Sequence, residues 1–283
     1  TDASMVKGKV KYVVFPTDTR QIHQFVLYAR RNKYDMVCRG GGSNLVGSCT
    51  PQDSVVLSFS KMNAILERKD QFVIVEPGVS FEKLNTSFKD LWLPLIFFKS
   101  QITTLGGLVS RNTPHVHLHK KMQHYVHELE MIDGSGKLQT LKNEGCGFEG
   151  TLGIITRITL KLENRPQQTS YTIFNFLELE ELLTSYYELS KKPEVLFVFF
   201  INKKLASYLH LGNGHKLFVK YGTVEGTIQE KQEIKKIDYE ISTVNPRICL
   251  TPYPIDRDCQ IPQQGLKLFF DWVTLHDLPC YGF

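Results

Sequence analysis

Apolar positions change period several times along this chain, and each change marks an element. Tyr12-Val13-Val14-Phe15 is a short apolar run stopped by Pro16, the pattern of a strand. Asp18-Thr19-Arg20-Gln21 offers an N-cap, and Ile22, Phe25, Val26, Tyr28 and Ala29 then recur at helical spacing. Met36-Val37-Cys38 is extended again and delivers the chain into Arg39-Gly40-Gly41-Gly42-Ser43-Asn44-Leu45-Val46-Gly47. Strand patterns follow at Val55–Ser58 and in Phe72-Val73-Ile74-Val75-Glu76-Pro77-Gly78, with a helical stretch from Phe81 to Phe88. Leu129 to Leu138 carries an Asp133-Gly134 turn between two apolar runs and predicts a hairpin.

Arg165-Pro166-Gln167-Gln168 breaks the pattern and predicts a linker, dividing the chain into domains at 1–164 and 165–283. Beyond it come a strand (Tyr171–Phe176), an amphipathic helix (Leu179, Leu182, Leu183, Tyr186, Leu189), a strand (Val195–Phe200), a short helix and a strand (Lys216–Tyr221). That alternation predicts an antiparallel sheet backed by helices. The fold class is α+β.

Composition narrows the picture. A chain of 283 residues is long enough for about two domains. Its net charge of +5 reads as a mild excess carried in pairs such as Lys191-Lys192 and Lys235-Lys236, which does not indicate nucleic acid. The six cysteines form no C-x-x-C pair and are expected as reduced thiols. The longest apolar run, Val195 to Ile201, has the length of a buried strand, so no transmembrane segment is expected. No signal peptide pattern opens the chain, which suits a cytoplasmic location, with peripheral attachment to the inner face of a membrane left open.

The candidate chemistry starts at the first glycine loop. Successive residues without Cβ at the end of a strand present backbone N–H groups to an anion, so a phosphate or pyrophosphate is the natural ligand. A dinucleotide-binding G-x-G-x-x-G fingerprint fails, because Leu45 stands at the position of its third glycine. A triphosphate-binding loop fails because Ser48-Cys49 replaces the required Lys-Ser or Lys-Thr.

A second stretch, Gly147-Phe148-Glu149-Gly150-Thr151-Leu152-Gly153-Ile154-Ile155-Thr156, resembles the Gly-x-Glu-Gly-Thr-Leu-Gly-Ile-Ile-Thr signature of the FAD-linked oxidases of the vanillyl-alcohol oxidase superfamily. Val75-Glu76-Pro77-Gly78, Thr104-Leu105-Gly106-Gly107 and the Asp133-Gly134 hairpin have counterparts there in the same order, so the resemblance covers about residues 1–162. The opening Asp2-Ala3-Ser4 followed by Val14-Phe15-Pro16 resembles the D-lactate and related 2-hydroxyacid dehydrogenase branch. The resemblance implies a two-lobed PCMH-type FAD-binding domain, followed by an antiparallel-sheet cap domain that is incomplete at its C-terminus.

What the resemblance implies can be carried onto this chain residue by residue. Arg39, Gly40, Gly41, Gly42, Ser43, Asn44, Gly47 and Ser48 would surround the FAD pyrophosphate. Pro77, Gly78, Glu149, Gly150, Gly153, Ile154 and Ile155 would lie along the adenine and ribose, and Thr104, Gly106, Gly107 and Asn112 would complete the pocket. Ser43 and Asn44 cannot form the covalent flavin bond that many relatives make, so noncovalent FAD is expected. His115, His117, His119, His124 and His127 allow a metal reading, but no acidic residue accompanies them before Glu128, and a solvated loop is the competing account. No metal is expected.

For a 2-hydroxy acid such as D-lactate the branch uses an arginine to hold the carboxylate. Asp258-Cys259-Gln260-Ile261-Pro262 resembles a cap-domain strand, which makes Arg247 or Arg257 the candidate clamp, with an exposed arginine as the alternative. Leu278 to Phe283 resembles the strand leading into the Gly-His-x-Gly-Asp-Gly-Asn-x-His motif, so the catalytic base is expected beyond Phe283. Family members are longer after Asn112 and between Leu141 and Gly145, which suggests a chain assembled from segments of a longer protein. The electron acceptor (a quinone, a cytochrome or an iron–sulfur module) is not specified. Competing functions are a reductase forming UDP-N-acetylmuramate, which shares a Gly-Gly-Gly-Ser-Asn loop, and a non-catalytic FAD-binding redox module.

Overall fold

The computed structural model describes residues 4–44, 46–95, 102–113, 121–208, 210–223 and 281–282. They fall into two units, one running through Arg165 and the other from Pro166 onward.

The first unit opens with β1 (Lys9–Val14) and α1 (Thr19–Arg31). Asp18 caps the helix, its Oδ1 accepting the Gln21 N–H at 2.8 Å, and Arg30 and Arg31 in the last turn complement the helix dipole. Ile22, Val26 and Ala29 form the buried stripe. Then come β2 (Met36–Arg39), one residue longer than the apolar pattern, and β3 (Gln52–Ser58). The three strands make a parallel sheet in the order β1-β3-β2. A parallel pair needs a crossover of about a dozen residues. Between β2 and β3 the glycine loop is that crossover.

β4 (Ile65–Lys69), β5 (Phe72–Val75), α2 (Phe81–Ser87), β6 (Leu91–Trp92) and α3 (Leu105–Arg111) come next. They are followed by β7 (Val126–Ile132), β8 (Leu138–Lys142), β9 (Ile154–Lys161) and β10 (Glu163–Asn164). Five of these strands form an antiparallel sheet, β4-β5-β9-β7-β8, and β6 pairs with β10. The sheet packs its apolar side against α2 and α3, through Val73, Val75, Leu129 and Ile158 on one side and Leu84, Leu105, Leu108 and Val109 on the other. A separate cluster joins α1 and β3 to the end of β7 and the start of β9, through Ile22, Val26, Leu57, Ile132 and Ile154.

α3 escapes the periodicity reading because Gly106 and Gly107 oppose helix formation. Its causes are tertiary. Thr104 caps it by accepting the Gly107 N–H at 3.4 Å, Leu105, Leu108 and Val109 are buried, and Asn112 closes it in the left-handed region at φ 49°.

The second unit contains β11 (Gln168–Phe176), α4 (Leu179–Ser190), β12 (Val195–Ile201), α5 (Lys203–Tyr208), β13 (His215–Thr223) and β14 (Tyr281–Gly282). The sheet is antiparallel in the order β11-β13-β12-β14. α4 covers one face, where Leu182 packs with Val195, Val198, Phe200, Leu217 and Val219. At its end Asn202 and His215 together cap α5: Asn202 Oδ1 accepts from Leu205 N at 2.9 Å and His215 Nδ1 from Lys203 N at 3.2 Å. Burial holds the His215 imidazole below its ordinary range, and a ring nitrogen that accepts a hydrogen bond must be unprotonated.

Candidate functional site

The first glycine loop leaves β2 at Arg39 and is seated against the segment that enters α3. A Cβ at Gly40 would collide with Thr104 Oγ1, and one at Gly41 with the carbonyl of Ile102. The Thr103 hydroxyl donates to Ser43 Oγ at 3.2 Å across the same seam. Gly42 takes φ +67°, and its Cα side faces the Arg39 guanidinium, which an added Cβ would approach to 2.6 Å. Side chains are thus excluded from three successive positions by contact or by backbone conformation, and the loop presents backbone. Asn44 closes it, its Oδ1 accepting Val46 N at 2.8 Å, which leaves the amide nitrogen to donate elsewhere. A cavity of about 200 Å³ lies beside it, lined by Arg39, Gly42, Asn44, Cys49 and Thr50 among others.

Pro77 and Gly78 sit on the other side of α3's N-terminus. Gly106 N donates to the Pro77 carbonyl at 2.9 Å, and a Cβ at Gly106 would come within 2.8 Å of Pro77 Cβ. Gly78 N donates to Met62 O at 2.8 Å, with no room for a side chain against the Phe59 carbonyl. Close backbone approach explains both glycines.

The second glycine loop is tied to the opposite end of α3. Gly147 N donates to Val109 O and Glu149 N to Ser110 O, each at 3.0 Å, and a Gly147 Cβ would meet Asn112 Cβ at 3.1 Å. Asn112 spends its side chain on Gln123, with Nδ2 donating to Oε1 at 2.6 Å and Oδ1 accepting Gln123 N at 3.0 Å. Gly153 has an ideal Cβ 2.6 Å from the Ile132 carbonyl. Ile154 and Ile155 send their side chains into two different hydrophobic clusters, so only their backbone faces a ligand. Among the described residues that backbone has a free side: the β5 pairing of β9 ends at Ile158, while Ile154 and Ile155 pair with β7 alone.

Most of the sequence-derived positions therefore gather around α3, but some stand apart. Gly47 packs near Ser4 and Val6, Ser48 is exposed, and a Cβ at Gly150 would meet nothing within 4 Å. Gly41 does not take a positive φ; the Ile102 carbonyl is what demands glycine there. Arg247, Arg257, Asp258–Pro262, His115, His117 and His119 lie outside the described residues. His124 is engaged locally, its Nδ1 accepting Lys121 N at 2.7 Å, and His127 packs at a tilt against Phe72 with 4.9 Å between ring centroids. Sequence reading missed Thr103 and Ile102 as partners of the first loop. Only their position one and two residues before the Thr104 cap hinted at them.

The arrangement fits FAD. Two backbone-lined loops and a strand edge converge on one short helix, and the first loop offers amides with no Cβ in the way of a pyrophosphate. Among the described residues no helix is long and apolar enough to cross a membrane.

Comparison with known proteins agrees. A family model described as an FAD binding domain matches residues 10–142. The D-2-hydroxyglutarate dehydrogenase of Stutzerimonas stutzeri is 25% identical over 222 residues, which is 71% of this chain and 48% of that protein. The D-lactate dehydrogenase of Archaeoglobus fulgidus is 23% identical over 268 residues, covering 87% of this chain and 60% of that one. The chain thus spans about half the length of these curated relatives. In fold it is similar to the solved structure of an alkyldihydroxyacetonephosphate synthase, with a TM-score of 0.64 at 18% identity over 83% of this chain and 49% of that one. Motif order and fold are similar to those of the FAD-linked proteins of the vanillyl-alcohol oxidase superfamily, and the matched model and the relatives support FAD as the cofactor.

Proposed function

We propose that the chain is the FAD-binding part of a dehydrogenase that oxidises a small 2-hydroxy acid, D-lactate or a near relative, to the 2-oxo acid. The observation that carries this reading is the seating of both glycine loops on the two ends of α3, in a chain similar to relatives named for D-lactate and D-2-hydroxyglutarate. Bound FAD supplies a two-electron acceptor for the hydride from the substrate's C2.

The chain's own residues supply the rest. The amides of Gly40 to Ser43, the Asn44 amide nitrogen and the Arg39 guanidinium neutralise the pyrophosphate. The free edge of β9 at Ile154 and Ile155 and the backbone at Pro77-Gly78 hold the adenosine half. Arg247 or Arg257 holds the substrate carboxylate by a bidentate fork, and the base that takes the hydroxyl proton belongs to the histidine motif that follows the Leu278–Phe283 pattern in the family. FAD is bound without a covalent link, since neither Ser43 nor Asn44 provides the histidine or cysteine such a link needs.

The test is anaerobic mixing of the purified yellow protein with D-lactate. Bleaching of the visible flavin band supports the reading. Bleaching by NADPH alone would transfer the chain to the reductase class, and no bleaching by either would leave a redox module. Acid precipitation checks the linkage: FAD is expected in the supernatant, and flavin retained by the polypeptide would contradict dissociable binding.

A further inference from the structure

The net charge is not distributed as the pairs along the sequence suggest. Residues 1–39, which hold β1, α1 and β2, contain eight of the 34 Lys and Arg and three of the 29 Asp and Glu, leaving 26 of each sign in the remainder. The whole excess of +5 therefore belongs to one strand, helix, strand unit.

Its cations are displayed outward. Lys7, Lys9, Lys11, Arg20, Arg30, Arg31 and Lys33 are all exposed. Lys9 and Lys11 share one carboxylate, Asp53, at 3.4 Å each, while among the described residues no ion pair engages Arg20, Arg30, Arg31 or Lys33. Between them runs a continuous row of rings. Tyr12 and Tyr34 lie 6.2 Å apart, Tyr34 and Tyr28 6.1 Å, and Tyr28 and Phe25 6.4 Å, with Lys11 Nζ 5.6 Å from the Tyr34 ring. Tyr12 is 60% and Tyr28 54% exposed. β1 is an edge strand, and it also leaves Val13 and Phe15 partly in water, while its Val10 lines the cavity beside the glycine loop.

We propose that this face of the β1–α1 layer, centred on Tyr12, Tyr28 and Tyr34 and rimmed by Arg30, Arg31 and Lys33, docks on the anionic headgroups of a lipid bilayer. Cations without counter-charges bind an anionic surface, and tyrosines with one apolar and one polar end sit at the boundary between headgroups and acyl chains. A nucleic acid would satisfy the cations but would leave the aliphatic side chains of β1 without a partner. The placement suits an enzyme surface, because Tyr34 precedes β2 and the glycine loop leaves β2 at its other end. This inference stands on charge and ring geometry and does not depend on which hydroxy acid is oxidised.

The experiment is cosedimentation of the FAD-loaded chain with vesicles of phosphatidylcholine alone or mixed with phosphatidylglycerol. Binding is expected only with phosphatidylglycerol and should fall with added salt. Arg31→Gln and Lys33→Gln should each weaken it about fivefold, as expected for one cation at such a surface. Tyr12→Ser with Tyr28→Ser should weaken it further without changing FAD content or circular dichroism. Equal binding to both vesicle types, or undiminished binding by these variants, would overturn the proposal. So would a dimer in solution that the tyrosine variants dissociate, or tighter binding to duplex DNA than to the vesicles.

Discussion

Two positions, one in each glycine loop, demand glycine for different physical reasons. In the first, Gly40 and Gly41 are pressed against Thr104 and Ile102, so a side chain is excluded by matter already present. In the second, Gly150 faces open space but holds φ +90°, so a side chain is excluded by backbone conformation alone. A clash of the first kind displaces the loop from its seat, whereas strain of the second kind raises the cost of a shape the loop can still adopt. Substitution should therefore fail completely at Gly41 and partially at Gly150.

The largest effect belongs to Gly41→Val. The β-branched side chain cannot coexist with the Ile102 carbonyl, and FAD should be lost from the purified protein; full occupancy by flavin absorbance would show that this loop does not hold the pyrophosphate. Gly150→Ala should be milder, costing roughly 1–2 kcal/mol for a Cβ at positive φ, so that FAD binds about tenfold more weakly without being abolished. Titration of FAD into the apo form measures it, and a loss as complete as that of Gly41→Val would erase the distinction between the two positions.

Thr104→Val tests the helix that both loops share. Removing the cap should cost about 1 kcal/mol, read as a lower thermal midpoint. A variant as stable as the parent would mean that tertiary packing alone holds α3.

The smallest effect is a pH dependence far from either loop. The Asp133 carboxylate accepts from Ser135 N, Ser135 Oγ, Lys137 N and Gln139 Nε2, and these donors, the serine hydroxyl foremost, pull it down to about 2. A carboxylate lowered in the folded state stabilises it above the unfolded value near 4, and that stabilisation is lost as pH falls toward 2. Denaturant midpoints followed between these values should decline less steeply in Asp133→Asn than in the parent. Equal slopes would show that the turn contributes nothing to acid sensitivity.

Much of this architecture is written locally. Asp18 and the Ile22, Val26, Ala29 stripe specify α1, the Asp133-Gly134 turn specifies a hairpin, and the α4 stripe marks which face of the second sheet is covered. Local signals failed where partners are remote. β4 carries Glu67, Arg68 and Lys69 on a sheet edge and shows no alternation, so only its pairing with β5 reveals it. α3 contains Gly106 because Pro77 crowds that position, which propensity cannot anticipate. The motifs named the candidate site residues, but that the loops meet on opposite ends of one helix follows from contacts between residues 60 positions apart in the chain, such as Ser43 with Thr103.

α3 itself has a dynamic consequence. Seven residues are too few for a helix to persist in water, so its order is borrowed from the sheet beneath and the loops at its ends. Any fluctuation that unwinds it releases Thr104 from the first loop and Val109 and Ser110 from the second in a single event. Hydrogen exchange at Gly107, Gly147 and Glu149 should then report one shared opening free energy, and cofactor binding should slow all three together.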